Sequence, residues 1–142
     1  MKTKWLDRAL TISAYHFCLC LTEKEFYAEL KRIEVPIGDW PRFVKNSHSD
    51  ATLHYLEHKN GNRIAIVCLD QEKAATKTGI QIASLLVHEA VHIWQRHTAA
   101  IGSFNDHGDE EEAYAIQNIA QSLIEEYARR MIQKKVTYRR GV

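Results

Sequence analysis

His88-Glu89-Ala90-Val91-His92 is the stretch on which the reading of this chain turns. It is an H-E-x-x-H pentad inside an apolar-periodic segment that runs from Ile80 to about Arg96 or His97. Thr78-Gly79-Ile80-Gln81 just before it has the form of a capping box, with Thr at the N-cap and Gln three residues on, so a helix is expected to start there. Ile82, Leu85, Leu86, Val87, Ala90, Val91, Ile93 and Trp94 make a stripe too wide for a surface helix, which predicts that most of Ile80 to Val87 and beyond is buried. Two histidines and a glutamate in such a helix are costly to bury unless they are bonded or hold a metal. Four residues turn a helix by about 400°, so His88 and His92 point the same way, one turn apart. Two neutral imidazoles at that spacing suit one Zn²⁺, which then needs only one or two more ligands. Glu89 projects about 100° around the helix from His88. From there it can take a proton from a water in the open metal position, the general-base role of this motif in zinc hydrolysis.

The third ligand is sought downstream. Asp109-Glu110-Glu111-Glu112-Ala113-Tyr114-Ala115-Ile116-Gln117 opens a second long helix, expected to end near Gln133. Acidic residues in a first turn suit the helix dipole whatever else they do. Periodicity separates them: Glu112 falls on the apolar stripe of Ala113, Ile116, Ile119, Ala120, Leu123 and Tyr127, whereas Glu110 and Glu111 line up with more polar neighbours. Glu112 is therefore the carboxylate expected to point inward and to complete the metal set. It also lies twenty residues after His92, similar to the thermolysin-like arrangement, in which the zinc glutamate sits on the next helix. His97, five residues beyond His92, points about 140° away on a continuous helix and cannot join the pair. His107, in the connecting loop, reads as a solvated histidine, with a ligand or substrate-binding role as the alternative.

Composition bounds the rest. A chain of 142 residues is long enough for one domain with a real core, taken here as residues 1–142 with a basic helix end over 128–142. The formal charge of +1 predicts no charged partner, and nucleic acid is not expected. The basic end, with Arg129, Arg130, Lys134, Lys135, Arg139 and Arg140, reads as a solvated helix terminus. Cys18, Cys20 and Cys68 are odd in number and lack C-x-x-C spacing, which points to core packing in a reducing compartment. No stretch is apolar and long enough to span a membrane, and Ala9 to Leu21 lacks a signal-peptide cleavage pattern, so a cytoplasmic location is expected.

Upstream, Tyr15 to Leu21 alternates as a strand. Thr22-Glu23-Lys24-Glu25 is a second capping box, opening a helix that Pro36 ends. Thr52–His58 and Arg63–Leu69 read as a hairpin around Asn60-Gly61, the second strand central and the first nearer an edge. Asp70 to Lys77 is a connection. The fold class expected is α+β: a small mixed sheet with a β-hairpin, packed on the H-E-x-x-H helix and a glutamate helix.

With these residues in view, the chain resembles the small predicted metallopeptidases of bacteriophages and prophages. The likeness rests on His88-Glu89-Ala90-Val91-His92-Ile93-Trp94-Gln95, Ile101-Gly102 and Glu112-Ala113-Tyr114-Ala115-Ile116-Gln117, and more loosely on Leu19–Lys24 and Ile64–Leu69. It implies a minimal zincin fold, one Zn²⁺ held by His88, His92 and Glu112, Glu89 as base, and a polypeptide substrate paired to an edge strand. A catalytically silent zincin scaffold that recognises a host or phage protein is the alternative. One departure stands out: thermolysin-like enzymes carry an Asp four residues after the zinc glutamate, bonded to a ligand histidine, and that position is Ile116 here. Another group must orient His88 and His92. Tyr114, Tyr127, His107, His54 and His58 are candidates for stabilising an oxyanion.

Overall fold

The computed structural model describes residues 2–7, 10, 13–58, 60–102 and 108–141; of residues 109 and 136–140 it describes the backbone alone. The elements are β1 (Trp5–Leu6), β2 (His16–Cys20), α1 (Glu23–Arg32), β3 (Ala51–Glu57), β4 (Arg63–Leu69), a single-turn α2 (Gln71–Ala74), α3 (Gly79–Ala100) and α4 (Asp109–Arg140), with a short 3₁₀ turn over Ile37–Asp39. This is an α+β arrangement around one mixed four-stranded sheet in the order β1-β2-β4-β3. β2 and β4 run parallel, while β1 on β2 and β3 on β4 are antiparallel.

Alternation along the strands sorts side chains into two layers. Phe17 and Leu19 of β2 join Ala65, Val67 and Leu69 of β4 on the face covered by α3 and α4, together with Ile82, Leu86, Ile93 and Leu123. Cys18 and Cys20 join Ile64, Ile66 and Cys68 on the other face, under Phe26 and Leu30 of α1. All three thiols are free and buried, and burial pushes those of Cys18 and Cys68 well up, so they pack as small apolar groups. β4 is the central strand of its hairpin and β3 is an edge, as the apolar run and the alternation predict. Asn60-Gly61 makes the turn, with Gly61 at φ +88°, a conformation that only glycine adopts without cost.

Helix boundaries differ from expectation in instructive ways. The Thr78 box forms reciprocally with Gln81, but α3 continues past His97 to Ala100 because Thr98 and Ala100 still pack inward. Thr22 caps Glu25 as expected, yet Glu25 reaches the Leu21 amide (2.9 Å) instead of closing the box on Thr22 N. α4 does not stop near Gln133 but runs to Arg140. Arg130, read as part of a solvated end, is 2% exposed and ion-paired to Glu25. β1 and α2 were not expected, since two and four residues are too short to show a period. His107 lies outside the described residues. Among the described residues no helix is long and apolar enough to cross a membrane.

Candidate metal centre

α3 carries the pentad along the margin of its buried stripe. Ile82, Leu86, Ala90 and Ile93 face the core, but Ile80 is 81% exposed and Val87 is at the surface, so the helix is narrower in its burial than the wide stripe predicts. His88 and His92 are exposed, whereas Glu89 between them is buried. The cost foreseen for two buried imidazoles therefore falls on Glu89 alone. Burial raises the Glu89 pKa above its ordinary 4.5, while the neighbouring His88 and His92 pull it down. Among the described residues Glu89 makes no hydrogen bond or ion pair.

The two imidazoles meet as the helical spacing requires. Their rings stand edge to face at 4.7 Å, with His88 Nε2 and His92 Nε2 3.1 Å apart. Two nitrogens each 2.0–2.1 Å from one tetrahedral zinc would lie about 3.3–3.4 Å apart, so the pair is nearly at ligand spacing. His92 Nδ1 lies 3.0 Å from Gln95 Oε1. With the ring neutral and Nδ1 donating to that oxygen, Nε2 keeps its lone pair.

The edge strand closes one side. Tyr55 of β3 donates its hydroxyl to the His92 carbonyl at 3.0 Å, and the Arg96 guanidinium lies 4.3 Å over the Tyr55 ring. Burial pushes the Tyr55 phenol up to about 12 against the opposing pull of Arg96. Tyr55 is absent from the residues singled out by sequence. Its signal was the period of two: it shares a strand face with Leu53, so it turns toward α3, whereas His54 turns to the α1 layer. There His54 stacks on Phe26 at 4.7 Å and meets the Phe43 carbonyl at 3.0 Å. His58 faces Glu34 at 3.9 Å, Tyr114 lies at the surface, and Tyr127 packs on the core. None of the four makes a hydrogen bond to His88, Glu89 or His92.

Glu112 is half-buried while Glu110 and Glu111 are exposed, as their faces predict. Its carboxylate, however, accepts the Trp94 indole N–H at 3.1 Å. Trp94 projects about 200° around the helix from His92. Among the described residues no three His, Cys, Asp or Glu side chains come together as a metal-binding group. The two histidine nitrogens alone stand near ligand spacing, and the Glu112 carboxylate stands apart from them on Trp94. His97 turns elsewhere, its Nδ1 accepting the Ala14 amide at 2.8 Å. No protein-family model, curated protein or solved structure matches the chain.

Proposed function

We propose that the chain is a zinc-dependent peptidase of zincin type, working on extended polypeptides in a cytoplasm. The observation that carries this reading is the near-ligand spacing of His88 Nε2 and His92 Nε2, 3.1 Å, beside a buried, unpartnered Glu89. His88 and His92 would hold the ion, and Glu112 would complete the set only with its carboxylate released from the Trp94 indole. Bound zinc supplies Lewis acidity to the substrate carbonyl and to water. Glu89, made more basic by burial, takes the proton of the attacking water and passes it to the leaving amine. The outer edge of β3 offers main-chain groups to an extended peptide.

Two measurements test this. Purified protein is expected to carry about one equivalent of Zn²⁺, and His88→Ala to lose most of it. Glu89→Gln is expected to keep the metal and lose about 10²–10⁴-fold in cleavage of a peptide library. Absence of zinc, with none taken up on titration, rejects the reading. The Trp94–Glu112 bond favours a second reading, a scaffold that binds a protein partner without cleaving it. Wild type and Glu89→Gln equally inert on the library, both retaining zinc, would select that reading.

A further inference from the structure

The orienting carboxylate of thermolysin-like enzymes is replaced by Ile116, so an imidazole of this pair needs another support. We infer that Gln95 is that support: a positioning residue whose side-chain oxygen holds His92 in the tautomer that leaves Nε2 free for a metal. This rests on the metal-centre reading above. The geometry is local and complete. Gln95 stands three residues after His92, so both side chains lie on one face of α3. Its Oε1 is 3.0 Å from His92 Nδ1. The Tyr55 hydroxyl meanwhile holds the His92 carbonyl, fixing the backbone from which the ring swings.

An asymmetry follows. With His92 Nε2 unprotonated, the 3.1 Å contact to His88 Nε2 is a hydrogen bond only if His88 donates. On this assignment His92 stands in its ligand tautomer, while His88 would carry its proton on the nitrogen that must face the ion. To serve as a ligand, His88 would have to shift its proton from Nε2 to Nδ1, while the His92 tautomer would stay as it is. Gln95 thus prepares one ligand in advance of the metal, and His88 is the ligand that rearranges.

The test is long-range ¹H–¹⁵N correlation of the imidazoles, with both rings neutral, before and after zinc titration. His88→Gln assigns the signals. Wild type is expected to show Nδ1–H for His92 throughout, and a change from Nε2–H to Nδ1–H for His88 on loading. Gln95→Leu should release His92 to a mixture of tautomers and weaken zinc by about 10–100-fold. Gln95→Glu, which restores an acceptor, should recover both. An unchanged His92 tautomer in Gln95→Leu overturns the assignment. So does an altered tautomer with unaltered zinc affinity, and in that case the peptidase reading stands. Failure of wild type to bind zinc removes both proposals together, a result distinct from either.

Discussion

Glu89 on α3 and Glu126 on α4 are both almost fully buried, at 6% and 3% exposure, yet their surroundings are opposite. Glu126 accepts the Arg129 Nε–H at 2.9 Å and lies 4.0 Å from Arg130 Nη1. Arg130 in turn pairs with Glu25, whose other oxygen caps the start of α1. This cluster ties the C-terminal half of α4 to the helix on the far side of the sheet. Glu89 has no such partner, only the His88 and His92 imidazoles nearby and an edge strand. A buried carboxylate with a cation is explained by architecture. One without a cation carries a cost that folding does not need, and such groups concentrate where chemistry is done.

The largest effect tests the structural half of that contrast. Arg130→Ala leaves the Glu25 and Glu126 charges without their shared cation, and it should lower stability by about 3–5 kcal/mol in urea denaturation. A loss below about 1 kcal/mol would mean that the cluster is not a structural tie. Next in size is a matched pair in metal-free protein at neutral pH. Glu126→Gln should cost about 1.5–3 kcal/mol, because it weakens the charged hydrogen bonds from Arg129 and removes the 4.0 Å ion pair with Arg130. Glu89→Gln should cost nothing or stabilise. The sign follows from linkage: burial raises the folded pKa of Glu89, so its contribution is fully present below the unfolded value of about 4.5 and is lost as pH rises through the folded value. Gln does not titrate and escapes that loss. Equal destabilisation by the two substitutions would break the comparison.

Much of this contrast is legible in the chain, and the parts that are not have physical reasons. The pentad, the Thr78 box and the Asn60-Gly61 turn act within a few residues, and their local geometry is what the spacing dictates. The edge position of β3 follows from its mixed polarity beside the continuous apolar β4. Arg130 is different. Its partner Glu25 is 105 residues away, and a basic residue near a helix end carries no mark of an acid that only folding brings to it. Glu112 shows the same limit. Periodicity places it on the inward face, but whether it meets the histidine pair or Trp94 depends on how α4 is rotated and slid against α3, which no repeat in the sequence encodes. Tyr55 needed the strand register, because one residue of slip would exchange it with His54.

His54 gives the smallest expected effect and the sharpest use of that register. It is a half-buried titratable group in the layer opposite the candidate centre, with its ring on Phe26 and its Nε2–H donated to the Phe43 carbonyl. Burial lowers its pKa from 6.5, with the Phe43 bond opposing. The unfolded chain therefore binds a proton more readily than the folded one. The contribution of His54 to stability is fully present above about pH 6.5 and is lost as pH falls below it, toward the lowered folded value. One proton limits the slope to about 1.4 kcal/mol per pH unit. Gln at this position can still donate to the Phe43 carbonyl but does not titrate. Denaturation of wild type and His54→Gln, compared at about pH 7.5 and about pH 5.5, should show a smaller acid loss in the variant. Zinc affinity should be unchanged between them, because His54 faces away from α3. Equal acid loss would show that His54 titrates alike in the folded and unfolded chain, and a change in zinc affinity would place His54 on the face here assigned to Tyr55.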